Sequence, residues 1–332
     1  MRIFAFEFFS GGGLAGRPLP ASIAHAGDMM LGALLEDLVE LPGIEVFASR
    51  DPRLPPLAVS GVIVPRPGED AIALYRRGLA SADAAWPTAP ETGGTLERLA
   101  RETLASGKTL LGCRPDSIRL TASKRATAEA LREAGIPVVP TFAFADLLPP
   151  LPGLWITKPD DGAGSEDTQL LPDWIAARER LAADPERLIA QPWVEGEPLS
   201  LSLVCDHGVA RLLSCNRQQI GIEDGRLSVE GLLVNALPDE GNFAVLAGRL
   251  AEAIPGLWGY VGVDLVLTRD GPVILEINPR LTTSYCGLGR ALGINTGAMV
   301  LSLLGRDPGT DDWPLRTTGT TVEILLEASN SI

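Results

Sequence analysis

With 332 residues, 45% of them hydrophobic and 21% charged, the chain is long enough for two or three subdomains and has an ordinary globular composition. Its 42 acidic residues against 28 basic ones give a formal net charge of −14, which argues against nucleic acid or an anionic membrane as the main partner. The 4 cysteines show no CxxC spacing and there are only 2 histidines, so a zinc set is excluded and the thiols are expected to be reduced and buried.

The N-terminal apolar run is cut short by Glu7 and followed by glycines, so it reads as a first β-strand rather than a signal peptide. No apolar stretch approaches the length of a membrane span, and a soluble, cytoplasmic protein is expected. Strands are expected at Ile3–Phe6, Ile44–Ala48, Val62–Val64, Ala82–Trp86 and Thr109–Gly112. Helical stretches at Met29–Glu40, Ala71–Ala80 and Leu96–Leu104 lie between them, the pattern of an open parallel sheet. Ligands of such sheets gather at strand C-termini, where Ser10, Gly11, Gly12 and Gly13 stand. Those glycines lack dinucleotide spacing; they either let a backbone approach a substrate or simply make a turn.

A helix at Ser123–Glu133 ends at Gly135-Ile136-Pro137, and a strand is expected at Val138–Thr141. After a proline-rich connector, Leu154–Lys158 reads as a strand running into Pro159-Asp160-Asp161-Gly162-Ala163-Gly164-Ser165. Trp174–Leu181 reads as a helix, strands dominate from Leu188 to Ala236, and Phe243–Ile254 reads as a helix. Further elements are expected at Thr296–Leu304 and Thr320–Leu326.

Two apolar runs, Gly259–Thr268 and Pro272–Ile277, flank Arg269-Asp270-Gly271, a hairpin signal. Glu276 and Asn278 are two apart and share a strand face, and antiparallel pairing can bring Asp264 to them. Carboxylates converging within apolar strands call for a hard cation with oxygen ligands, for which Mg²⁺ in the company of phosphates is the natural choice. Lys158 followed by Gly162, Ala163, Gly164 and Ser165 offers a cation and open backbone N–H groups to anionic oxygens. Lys124 follows Ser123, a good N-cap, at a helix start whose N–H groups also favour phosphate. The extended segment from Gln191 through Trp193 and Val194 can pair with an adenine edge, with Glu195 or Glu197 accepting ribose hydroxyls. Asn216-Arg217-Gln218 closes another apolar run, where Arg217 can meet a substrate carboxylate or a γ-phosphate.

In the order SKRAT, KPDDGAGS, QPWVEGEPLS and GVDLVL…LEINPRLT, these motifs resemble the ATP-grasp superfamily from about residue 115 to 300. The resemblance implies an α/β fold of the α+β ATP-grasp type: an open parallel α/β domain at 1–115, then two α+β subdomains at 116–194 and 195–332 that clamp ATP. It matches Lys124 and Lys158 to phosphate-binding lysines, Gly162–Ser165 to the loop over the phosphates, and Gln191, Trp193 and Val194 to the adenine hinge. It matches Asp264, Glu276 and Asn278 to Mg²⁺ ligands (Mn²⁺ being able to substitute) and Arg280 to the arginine supporting the reacting group. Gln191 departs from the family, whose hinge often begins with Glu.

The chemistry implied is activation of a carboxylate by ATP to an acyl-phosphate that an amine displaces. FEFFSGGGL, AAWPTAPETGG and EINPRLTTSYCGLG also resemble a narrower group, the tyramine–glutamate ligases of methanofuran-type cofactor synthesis. On that likeness Ser10–Gly13, Glu91 and Thr282–Tyr285 line the substrate side, although the hydroxyls of Thr282, Thr283 and Ser284 can equally cap the next turn; Asn216 and Gln218, which flank Arg217, are expected on the substrate side as well. The partners expected are small molecules, with a homo-oligomer also allowed; a ligase for another amino-acid or peptide substrate, a kinase-like or carboxylase-like enzyme and a nucleotide sensor are the alternatives.

Overall fold

The computed structural model describes residues 1–146, 152–162, 167–239, 241–305 and 319–326. Five strands, β1 (Arg2–Glu7), β2 (Glu45–Ser49), β3 (Val62–Ile63), β4 (Ala84–Thr88) and β5 (Thr109–Leu110), form a parallel sheet in the order β3-β2-β1-β4-β5. Its helices are α1 (Ala21–Val39), α2 (Ala71–Leu79) and α3 (Thr95–Ala105). β1 is covered on both sides, which explains its unbroken apolar run. Ile3 and Ala5 share a core with Leu31, Leu34 and Leu38 of α1, whereas Phe4 and Phe6 share one with Tyr75 of α2 and Leu96 and Leu99 of α3. The strand order reverses at β1, which opens a crevice between the C-terminal ends of β1 and β4, the place where such sheets hold ligands.

Helices α4 (Pro115–Ala122) and α5 (Lys124–Glu133) lead into the second sheet. It contains β6 (Phe142–Ala143), β7 (Trp155–Pro159), β8 (Gln169–Leu171), β9 (Leu188–Pro192), β10 (Glu197–Asp206), β11 (Val209–Glu223) and β12 (Arg226–Leu237). β13 (Gly259–Thr268), β14 (Gly271–Asn278) and β15 (Val322–Leu325) complete it, with α6 (Trp174–Ala183), α7 (Asn242–Ala253), α8 (Tyr285–Leu292) and α9 (Thr296–Ser302) interspersed. The order is β14-β13-β10-β11-β12-β8-β7-β9-β6, with β15 on β12. Its two halves meet at the single pair Arg226↔Gln169. The smaller half has its own core of Trp155, Trp174, Ala177, Leu181, Leu188 and Ala190. Among the described residues no single helix is long and apolar enough to cross a membrane.

Several elements differ from the sequence reading. α1 begins at Ala21, eight residues before Met29, because its first two turns are built from small and polar residues that carry no apolar stripe. α4, which starts on Pro115, and α8, which contains Gly287 and Gly289, were not anticipated. Val138–Thr141 is not a strand. Pro137 and Pro140 remove donors there, so only Val138 bridges Ile274, and the strand follows at Phe142. Most of the proline-rich connector, and Ala163, Gly164 and Ser165, lie outside the described residues.

Gly78 shows how closely α2 sits on the sheet: a Cβ there would stand 2.1 Å from Cε1 of Phe4, a fully buried ring. Gly78→Ala gains up to about 1 kcal/mol of helix propensity. Overpacking a rigid core costs about 1–3 kcal/mol. The substitution is expected to lower the urea midpoint by a net loss of up to about 2 kcal/mol; a raised midpoint would show that the ring has room to move.

Candidate active site

The β13–β14 hairpin gives the large half of the second sheet one apolar and one polar face. Opposed residues of antiparallel strands share a face, and the register pairs Ser200 with Asp264, Asp264 with Glu276, and Gly262 with Asn278. The other face carries Leu199, Leu201, Val261, Val263 and Leu265 into the core. Just past the acidic pair the register slips, so that Leu265 faces Ile274 and β14 accommodates an extra residue. Gly262 is small because Thr282 lies on it: a Cβ would meet Thr282 Cγ2 at 2.5 Å.

Four elements supply the charged groups. Gln218 of β11 donates to Asp264 Oδ1 at 2.8 Å, and Asn278 Nδ2 donates to Asp264 Oδ2 at 2.9 Å. Lys124, at the start of α5, and Lys158, on β7, place their Nζ atoms 3.4 and 3.7 Å from Glu276 Oε2. Ser123 caps α5 by accepting from Ala126 N at 3.0 Å. Lys124 Nζ also donates to the carbonyls of Gly162 (2.6 Å) and Asp160 (3.3 Å), and Arg125 N donates to Asp160 Oδ1 at 2.9 Å. The helix start thereby holds the turn that follows Lys158.

Burial pushes Asp264 well above the usual carboxylate range, and the neighbouring Glu276 charge pushes it further. Burial acts on Glu276 in the same direction, but Lys124 and then Lys158 outweigh it and hold that carboxylate low. Lys158 is pulled down by burial and by repulsion from Lys124, against the attraction of Glu276.

Arg280 lies just past β14 and joins the two sheets. Its Nε and Nη2 donate to the two carboxylate oxygens of Glu91, at 2.9 and 3.1 Å; Glu91 is buried and Arg280 half-buried. Nη2 also reaches Asn278 Oδ1 at 3.4 Å. Glu91 follows β4 and so stands at the crevice of the first sheet. On the other side of that crevice lies Glu7, at the end of β1. Its Oε2 accepts from Ser10 N (2.6 Å) and Ser10 Oγ (2.7 Å). Burial raises the Glu7 pKa, opposed first by the Ser10 bonds and also by the charge of Arg280. Gly11 cannot carry a side chain, since a Cβ would stand 2.2 Å from Glu7 O; Gly12 (φ 97°) and Gly13 complete the same tight turn.

The remaining predicted residues divide. Gln191 is buried and its Nε2 donates to Thr141 Oγ1 at 2.8 Å. Trp193 and Val194 are half-buried between β9 and β10, with Trp193 N donating to Leu154 O at 2.8 Å. Glu195 is exposed, and Glu197 forms an ion pair with Arg217.

The structure separates the three residues of the 216–218 segment, and two of them, Arg217 and Asn216, are not where the sequence reading expects them. Arg217 alternates with its neighbours and projects from the opposite face to Asp264, so it is not brought to the site. Asn216 is fully buried, its amide engaged with Ser200, Ser202, Ser214 and the backbone N of Asn235. Gln218 does reach the site, as a donor to Asp264. Thr282 and Ser284 form a hydroxyl cluster with Tyr260 and Ser202, at 2.9–3.2 Å, while Thr283 is half-buried and its carbonyl accepts from Cys286 N. Glu7, Asp161 and Tyr260 were not anticipated; an acid closing the buried run of β1 was the signal available for Glu7.

Among the described residues no three His, Cys, Asp or Glu side chains converge as a metal cage. The two opposed carboxylates, with an amide beside them, nevertheless fit a hard cation that completes its shell with phosphate and water oxygens. The half-buried Asp264 carboxylate, crowded by the Glu276 charge, is the feature such a cation would relieve.

A family description of the ATP-grasp domain matches residues 121–284, and one of a pre ATP-grasp domain matches residues 44–118. The chain is 29% identical over 209 residues to tyramine–L-glutamate ligase of Methanocaldococcus jannaschii, and 30% identical over 181 residues to that of Methanocaldococcus fervens. These matches cover 62% and 54% of this chain but only 58% and 52% of the two relatives. The crystal structure of an ATP-grasp superfamily protein from Archaeoglobus fulgidus superposes with a TM-score of 0.71 and 25% identity, over 98% of this chain and 100% of the other. With the parallel sheet in front, the large antiparallel sheet behind and both domains matched in sequence, the chain belongs to the ATP-grasp superfamily.

Proposed function

We propose that the chain is an ATP-dependent carboxylate–amine ligase that activates the γ-carboxylate of L-glutamate and joins it to tyramine or a related arylalkylamine. The observation that carries the reading is the convergence of Lys124 and Lys158 on Glu276, directly opposite Asp264 and one short step from Arg280. The curated relatives named for tyramine and L-glutamate supply the choice of substrates. In this reading the three parts of the chain, 1–115, 116–194 and 195–332, each contribute to one site in the cytoplasm, where ATP is abundant.

Lys124, Lys158 and the turn around Gly162 bind the phosphates, and the segment from Gln191 to Val194 borders the adenine. Ribose hydroxyls go to Glu195, whose carboxylate is exposed, rather than to Glu197, which Arg217 engages. Asp264 and Glu276, with Asn278, would hold Mg²⁺, which supplies charge neutralisation for phosphoryl transfer. The carboxylate oxygen attacks the γ-phosphorus and ADP leaves; the amine then attacks the acyl carbon and inorganic phosphate leaves. Arg280, whose planar guanidinium already holds one carboxylate through two bonds, orients the oxygens of the acyl group. The crevice between Ser10–Gly13 and Glu91 receives the remainder of the substrate.

With Mg²⁺-ATP, L-glutamate and tyramine, ADP and a γ-glutamyl amide are expected in equal amounts, measured by a coupled ADP assay and mass analysis. ADP formed at full rate without amine would instead mark a kinase. Asp264→Ala and Glu276→Ala are expected to lower kcat by about 100-fold or more while leaving the circular dichroism spectrum and the cooperativity of unfolding intact. Normal turnover in either variant would remove the metal assignment.

Proton competition gives a further expectation. Asp264 is held up to about 7, so below that pH a cation must displace its proton. Mg²⁺-ADP affinity, followed by calorimetry, is expected to fall by up to about tenfold per pH unit below neutrality. The folded carboxyl keeps its proton to a higher pH than the unfolded one, so its ionisation lowers the stability of the ligand-free protein as pH rises from about 4 to 7. The Tm gain on adding Mg²⁺-ADP is therefore larger at pH 8 than at pH 6; an equal gain at both would show that Asp264 is not a ligand.

A further inference from the structure

Asp161, between the turn held by Lys124 and the described end of the loop at Gly162, contacts the first domain rather than its own. Its Oδ2 accepts from Gly93 N at 2.9 Å, and its carbonyl accepts from Thr92 Oγ1 at 3.1 Å. Thr92 and Gly93 follow Glu91 directly, and the turn closes on itself through Gly94 N to Glu91 O at 2.9 Å, with Gly93 and Gly94 at φ 62° and 68°. Its one acid holds Arg280 while its next two residues hold the loop after Lys158.

The contacts close into a ring. From Glu276 it runs through Lys124 to Gly162, from Asp161 to Thr92 and Gly93, then from Glu91 through Arg280 and Asn278 to Asp264, which faces Glu276 across the strand pair. Four separate stretches of chain contribute (91–93, Lys124, 161–162 and the 264–280 hairpin), and the 91–93 turn is where the first domain enters.

We propose that Asp161 and Glu91 are positioning residues: through the 91–93 turn they set the loop after Lys158 and the Arg280 guanidinium jointly, so that displacing one displaces the other. Neither needs to touch the reacting atoms. Asp161 acts only as an acceptor for a backbone N–H, so its charge is dispensable, whereas Glu91 works through a two-bond ion pair whose geometry Gln cannot reproduce. Because the turn is short and is closed by the bond from Gly94 N to Glu91 O at 2.9 Å, it has little slack with which to absorb movement at one end.

The test uses the full chain without ligands, in wild type and in Glu91→Gln, Asp161→Ala and Asp161→Asn. Hydrogen exchange followed by mass spectrometry reads peptides covering 88–99 and 155–162. Asp161→Ala is expected to raise exchange at Gly93 and its neighbours by about tenfold or more, and Asp161→Asn to restore most of the protection. Glu91→Gln is expected to raise exchange at 155–162, a segment it does not touch. Wild-type exchange there overturns the coupling, and equal exchange in the Ala and Asn variants overturns the role of Asp161 as a neutral acceptor.

The kinetic arm rests on the ligase reading. Asp161→Ala is expected to lower kcat by about tenfold or more, with the KM for amine within about twofold, and to release ADP in excess of amide. Asp161→Asn recovers most of the rate; a rate equal to that of Asp161→Ala overturns the acceptor role. If no substrate pair turns over while the exchange changes appear as expected, the ligase reading fails and the clasp stands.

Discussion

The site is organised around the need to satisfy a carboxylate that the fold takes out of water. Glu276 sits on a strand whose other face is core, and an isolated charge in such a place would neutralise rather than remain. Two lysines reach it, one from the start of α5 and one from β7, and together they keep it ionised. Each comes from a different part of the chain, so meeting this one electrostatic demand fixes how the smaller half of the second sheet and the α4–α5 pair stand over the hairpin. Asp264, directly opposite, accepts from the amides of Gln218 and Asn278, and burial together with the Glu276 charge holds its carboxyl above the usual range. The pair is thus balanced on one side and incomplete on the other.

That asymmetry suits a site that handles phosphates. The lysines are not sealed into ion pairs at contact distance: at 3.4 and 3.7 Å from Glu276 they are near enough to feel its charge without a short bond to it. In the proposed ligase a divalent cation between the carboxylates takes over the compensation of Glu276, and the ammonium groups turn to the phosphates. Lys124 already donates to Gly162 O and Asp160 O, so the loop and the Glu276 carboxylate respond to the same side chain.

The hairpin was legible because its information is local. A turn signal and a period of two suffice to place Asp264, Glu276 and Asn278 on one face, and the same rule applied to 216–218 would have separated Arg217 from Asn216 and Gln218 instead of grouping all three. The parallel sheet was legible for the same reason, strands buried on both faces reading as apolar runs between helical stretches. α8 was hidden by its glycines and the start of α1 by small residues, neither of which leaves an apolar stripe. The partners of Glu91, Glu7 and Asp161 were beyond reach in a different way. Asp161 and Gly93 are 68 positions apart and Arg280 and Glu91 are 189 apart, and nothing in either neighbourhood names the other.

Those long-range contacts bear on why a separate α/β domain precedes the clamp. A clamp alone can bind nucleotide, but the acyl centre must sit where the phosphoryl group, the arginine and the incoming amine coincide, and a displacement of about 1 Å there costs orders of magnitude in rate. In the proposed ligase the crevice between β1 and β4 would take the substrate side, bordered by the buried Glu7–Ser10 turn, while the turn after β4 grips both Arg280 and the loop beyond Lys158. On that reading one short segment registers the substrate crevice against the nucleotide side. The rigidity of the parallel sheet, packed on both faces, is what makes that registration sharp: β4 cannot shift its C-terminal end without moving β1, to which it is paired from Ile3 through Glu7.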